Sequence, residues 1–163
     1  MRGVVKMRKL FNLIVFSFTT IILVACNNEM VSESDLEAFV NNYKKDVYNI
    51  ALENEVDDLA ILANVEPYTE AEIFNRNKTN SIYVFPKYFA TENDVNISLE
   101  NTKIDSFEQE DSVIDLKYTL TLKIGEEEVE KKGTMTISVE DKENFIITYD
   151  YEVPIIVNGK KLM

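Results

Sequence analysis

The chain has 163 residues, with 29 acidic against 17 basic side chains, a formal charge of −12, one cysteine, no tryptophan and no histidine. These counts exclude Ser/His and Cys/His catalysis, histidine-based zinc sites and any disulfide within the chain. They also argue against nucleic acid as a partner, because a strongly acidic surface is repelled by phosphate.

The first 25 residues differ from the rest. Arg2, Lys6, Arg8 and Lys9 form a basic head without acids, and Leu10 to Ala25 is an apolar run interrupted only by Asn12, Ser17, Thr19 and Thr20. A basic head followed by a short apolar run has the form of a secretory leader, and the run is short of the about 20 apolar residues that a spanning helix needs. The leader ends in Leu23-Val24-Ala25-Cys26, followed by polar Asn27 and Asn28. These four residues resemble the lipobox of bacterial lipoproteins. The resemblance implies cleavage before Cys26, a diacylglycerol thioether on its sulfur, and attachment to the extracytoplasmic face of the cell membrane. Two acyl chains hold far more firmly than one, at about 0.8 kcal/mol per buried methylene. The expected layout is a signal peptide over 1–25, a lipidated tether over 26–33 and a single domain over 34–163. Without its four basic leader residues the remainder is still more acidic than the whole chain. Sixteen asparagines alongside frequent lysine and isoleucine point to an AT-rich genome, such as that of a Gram-positive bacterium of low GC content.

The domain is predicted to open with a helix at Ser34, where Ser34 and Glu37 have the spacing of a capping box. Leu36, Phe39, Val40, Tyr43, Val47 and Ile50 recur every three or four residues, so one face of a helix reaching about Leu52 is apolar. Val56, Leu59, Ala60 and Leu62 form a short second helix, and Thr69 with Glu72 marks the start of a third, with Tyr68 and Ile73 placed as a hydrophobic staple. Ile82 to Phe89 then packs four aromatic rings into a short segment between the helical half and the strands.

From Val95 the apolar period becomes two. Ile114, Leu116, Tyr118, Leu120, Leu122 and Ile124 alternate with polar residues, and so do Met135, Ile137 and Val139, then Phe145, Ile147, Tyr149, Tyr151 and Val153. Gly125-Glu126-Glu127 and Glu140 to Asn144 are the turns of an antiparallel meander. Val95, Ile97 and Leu99 are odd and Ile104 is even, so a β-bulge falls between Asn101 and Lys103. Asn158-Gly159 is a type I′ turn signal, leaving either a short terminal hairpin or a frayed tail.

Helices followed by four antiparallel strands form an α+β domain, its curved sheet covered by the long helix. The order from Ser34 to Val153, with the Phe39-Val40 to Tyr43 helix opening, resembles cone-shaped nuclear-transport-factor-2-like domains. Those at the extracytoplasmic end of teicoplanin-resistance-associated membrane proteins are particularly similar; a cystatin-like layout is the competitor. The resemblance implies a pocket or interaction surface and no particular reaction. Some enzymes of this fold pair a carboxylate with a tyrosine, but alternation places Asp115 and Asp150 towards water. The Glu126, Glu127, Glu128 and Glu130 hairpin lacks a calcium-loop pattern. No cofactor, metal site or catalytic residue is expected. The candidate groove is aromatic, formed by Tyr83, Phe85, Tyr88, Phe89, Tyr149 and Tyr151, for a small apolar or glycan-like ligand; the bland alternative is that these rings fill the core. The sequence thus reads as an envelope binding or accessory lipoprotein, its other candidate partner being an envelope protein, and leaves the oligomeric state open.

Overall fold

The computed structural model describes residues 30–54, 57–141, 144–157 and 159–163. Cys26, its lipobox and the tether as far as residue 29 lie outside the described residues. Val31–Met163 form one unit, and among the described residues no helix is long and apolar enough to cross a membrane.

Helix α1 spans Glu33–Tyr48. It starts earlier than Ser34, because the cap is Ser32: its hydroxyl accepts the Asp35 N–H at 3.1 Å, while Ser34 only meets Ser32 side chain to side chain. Leu36, Val40, Tyr43 and Val47 are buried as the periodicity requires. The helix stops at Tyr48 and not near Leu52, since Ile50 pairs with Ile97 and the Asn49 side-chain carbonyl accepts the Leu99 N–H at 2.9 Å. Pairing with the sheet therefore takes over the backbone groups that a longer helix would use.

Helix α2, Asp58–Val65, is capped by Asp57 and runs into a 3₁₀ turn at Glu66–Tyr68. Thr69 does not cap the next helix. Its backbone bridges to Ile147, and the Glu70 N–H donates to Ile147 O at 3.0 Å. Helix α3, Ala71–Thr79, follows without a side-chain cap. The aromatic segment, read above only as a connection, winds into helix α4, Phe85–Asn93, with Pro86 in its first turn, where its missing N–H does no harm. Asp94 ends it in the left-handed region at φ 54°.

Strands β1 (Ile97–Glu110), β2 (Val113–Ile124), β3 (Glu127–Asp141) and β4 (Asn144–Glu152) form one antiparallel sheet in the order β1-β2-β3-β4. Ile124 pairs with Glu127, so the turn is Gly125-Glu126, with Gly125 at φ 61°. A small ribbon follows, β5 (Ile155–Val157) paired with β6 (Lys160–Leu162), with Val157 and Leu162 buried. The tail is thus a hairpin; Asn158 at its turn lies outside the described residues.

All six even positions of β2 from Ile114 to Ile124 are buried, forming with Leu36, Val40 and Tyr43 of α1 the centre of the core. Each such side chain contributes about 1.5–3 kcal/mol. Two registers depart from expectation. In β1 the extra residue is Glu100, just before the expected interval, and a second slip falls at Asp105. In β4, Ile137 pairs with Ile147 but Thr136 pairs with Tyr149, so Thr148 is a bulge. One extra residue reverses the faces that follow. Tyr149 and Tyr151 are consequently 46% and 52% exposed, and the next even positions turn inward.

Candidate functional site

The inward turn of β4 carries Asp150 and Glu152 towards α1. Lys44, placed among the apolar positions of that helix, donates from Nζ to Asp150 Oδ2 at 2.6 Å and to Glu152 Oε1 at 2.5 Å. Tyr43 donates to Asp150 Oδ2 at 3.1 Å, Tyr118 of β2 to Asp150 Oδ1 at 2.7 Å, and Tyr48 to Glu152 Oε2. Lys131 of β3 reaches Glu152 Oε2 at 3.3 Å and the Val153 carbonyl at 3.3 Å. The Lys44 ammonium also lies 4.7 Å and 5.1 Å from the Tyr43 and Tyr118 ring centroids, within cation–π range. Two cations, two carboxylates and three tyrosines thus form one buried network.

Gly133 makes this arrangement possible. A Cβ there would lie 2.2 Å from Tyr118 Cζ and 2.4 Å from its hydroxyl. The missing side chain is the space through which the ring reaches Asp150.

Burial and neighbouring charge act on each group in a definite direction. For Glu152, burial favours the neutral acid, but Lys44 and Lys131 outweigh it and hold the carboxyl below its ordinary value. For Lys44, burial opposes the charge, and Asp150 and Glu152 overcome it to raise the ammonium. Lys131 is lowered, burial exceeding its attraction to Glu152. Burial, joined by the adjacent carboxylates, pushes the Tyr43, Tyr48 and Tyr118 hydroxyls well above the usual tyrosine value. These tyrosines serve as neutral donors.

Tyr43, Lys44, Tyr48, Asp150 and Glu152 of the network form the floor of a cleft of about 210 Å³, with Asn77 and Tyr83 on one wall and Ile82, Tyr151, Pro154 and Met163 at the rim. Of the six aromatic residues expected to share a groove, only Tyr83 and Tyr151 line this cleft. Tyr83 is buried, stacked on Phe74 at 5.8 Å, and its hydroxyl accepts from Asn77 at 3.3 Å. Phe89 is buried in the core and Phe85 packs partly buried against it. Tyr88 is largely exposed and donates to Asp58 at 2.6 Å. Tyr149 faces outward because of the Thr148 bulge. Asp115 is exposed as expected, accepting from Thr136 at 2.6 Å; Asp150 turns inward instead of towards water, because the Thr148 bulge reverses the alternation that precedes it. Cys26 lies outside the described residues. Among the described residues no group of three or more acidic or cysteine ligands is placed to hold a metal ion.

Lys44, Lys131, Glu152 and Gly133 escaped the sequence reading, although a signal existed for three of them. Lys44 interrupts the apolar stripe beside Tyr43, and Lys131 and Gly133 share the odd phase of buried Met135 and Ile137.

No family profile matches the chain, and no curated protein does. Among solved structures, an NTF2-like potential transfer protein, TraM, from the Gram-positive conjugative plasmid pIP501 aligns with a TM-score of 0.50 at 13% identity, covering 78% of this chain and 100% of that one. An NTF2-like protein involved in plasmid conjugation aligns with a TM-score of 0.49 at 11% identity, over 74% of this chain and 48% of that one. The likeness to the first identifies the fold as α+β and nuclear-transport-factor-2-like, the first of the two layouts expected.

Proposed function

We propose that the chain is an extracytoplasmic lipoprotein, anchored through a diacylglycerol on Cys26, whose nuclear-transport-factor-2-like domain binds a small ligand in the cleft between α1, β4 and the terminal hairpin. The observation that carries the binding role is the cleft itself: an apolar rim over a floor of ordered polar groups, the usual composition of a small-molecule site. The lipobox Leu23-Val24-Ala25-Cys26 carries the location. The resemblance to the extracytoplasmic domains of teicoplanin-resistance-associated membrane proteins belongs to the same reading, an envelope domain held close to the membrane.

Binding is favoured over catalysis. A buried carboxylate with tyrosine neighbours is present, but a general base works best with a value near the operating pH, whereas Lys44 and Lys131 hold Glu152 below the ordinary range. Asp150 already accepts three hydrogen bonds. The reading is tested by NMR titration of the chain with neutral and charged fragments. At least one class should shift the resonances of Ile82, Tyr151 and Met163 saturably, and Tyr151→Ala should weaken the effect. Absence of any saturable shift at these residues would refute the binding role.

A second reading, an accessory that contacts an envelope protein, is favoured by the exposed apolar residues Tyr149, Val153 and Ile156. A transfer-related role of the kind attributed to TraM would be one form of it. A photo-crosslinker at Ile156 that captures a single envelope protein from native membranes would support this reading; no crosslink would remove it.

A further inference from the structure

Resting on the ligand-binding reading of the cleft, we infer that its ligand is a small primary ammonium compound with a short apolar body. At the floor of the cleft the donors are spent before the acceptors. Two Lys44 N–H bonds point at Asp150 and Glu152, and the ammonium lies against the Tyr43 and Tyr118 rings. The hydroxyl hydrogens of Tyr43, Tyr48 and Tyr118 are all directed at the same two carboxylates, so the donors that remain are on the wall, the Tyr83 hydroxyl and the second Asn77 N–H. Acceptors are left over. A carboxylate offers about four lone-pair directions, and Asp150 uses three, with Oδ1 receiving only Tyr118. Asn77 gives an amide N–H to Tyr83, and its carbonyl oxygen, open to solvent on the cleft wall, receives no hydrogen bond among the described residues.

The order of burial points the same way. The Asp150 and Glu152 side chains are 10% and 11% exposed, whereas Lys44 and Lys131 are 2% and 0%. The negative ends therefore face the opening and the positive ends lie behind them. An incoming group meets carboxylate and amide oxygens first, beside the tyrosine rings, and the chain's −12 formal charge favours a cation at longer range. A primary ammonium has three donors and no acceptor, so it complements this surplus, while the rim of Ile82, Tyr151, Pro154 and Met163 takes the apolar part. At about 210 Å³ the cleft is smaller than the roughly 300–1,000 Å³ of drug-sized sites, which limits that body to about one ring or a short alkyl chain.

The test uses benzylamine, benzyl alcohol and benzoate, matched in shape, titrated into the full chain and followed by NMR. Benzylamine is expected to bind at least tenfold more tightly than benzyl alcohol, with shifts at Asn77, Tyr83 and Asp150, and benzoate more weakly than either. Its advantage over the alcohol should shrink as salt is raised. Asp150→Asn should bring the amine-to-alcohol ratio close to one. Because that variant disturbs the network and folding with it, Asn77→Asp provides the independent arm: a carboxylate at the cleft wall should strengthen benzylamine binding several-fold and leave the alcohol unchanged. Equal binding of amine and alcohol at the cleft would overturn the inference and leave the binding role standing. Failure of all three probes to move any cleft residue would overturn both.

Discussion

Gly133→Ala tests whether the network depends on the passage of one ring. The alanine Cβ would fall 2.2–2.7 Å from three atoms of the Tyr118 ring and hydroxyl, and Tyr118 is fully buried. Gly133 has no left-handed φ, so its backbone accepts alanine, which in a strand gains about 0.5–1 kcal/mol over glycine. Against that gain stand about 1–3 kcal/mol of overpacking. A further roughly 1–3 kcal/mol follows if the ring retreats from its 2.7 Å bond and leaves Asp150 short of a donor. The net loss is about 1–5 kcal/mol. With a urea slope of about 2 kcal/mol/M, the middle of the usual range, the unfolding midpoint should fall by roughly 0.5–2.5 M at unchanged slope. In a Tyr118→Leu background the space is open, and the same substitution should be close to neutral or stabilising. Equal effects in the two backgrounds, with a coupling below about 0.5 kcal/mol, would refute the role assigned to Gly133.

Lys44→Met should destabilise by about 3–5 kcal/mol at neutral pH in urea unfolding, because it leaves two carboxylates buried without their shared cation. Glu152 is held below its ordinary value in the folded chain, so its contribution is present above about pH 4.3 and is lost as pH falls through the folded value. Wild-type stability should therefore decline in that acid window more steeply than that of Glu152→Gln. Tyr43, Tyr48 and Tyr118 are pushed well above the usual value, so in an ultraviolet pH titration they should ionise only as the chain unfolds. Tyr149→Ser should change stability by less than about 0.5 kcal/mol, as at other surface positions, whereas Ile147→Ala, on the other side of the bulge, should cost about 2–5 kcal/mol.

The sequence made the layers legible and hid the site. The stripe of α1 and the strict alternation of β2 are long, regular signals, and both held because each element buries one continuous face. Element ends were less visible. Ser32 and Ser34 compete for one cap, and only geometry shows that Ser32 takes it. Helix α4 was concealed by rings that favour strands, although Pro86 in its first turn is a helix-start signal. The decisive miss is Thr148. Apolar odd positions run through Phe145, Ile147, Tyr149, Tyr151 and Val153 as though one face were continuous, and tyrosine tolerates water well enough that nothing in the pattern marks the slip. Because the reversal follows from one extra residue, strict alternation predicts a solvated Asp150, whereas the side chain lies at the centre of the network.

The proposed function requires that this domain lie outside the cytoplasm, fixed to a membrane. Intact-mass analysis of the protein recovered from its native membrane measures this directly. The account predicts a chain beginning at Cys26 and heavier than its sequence by a diacylglycerol thioether. A free thiol at Cys26, or residues 1–25 still attached, would contradict it.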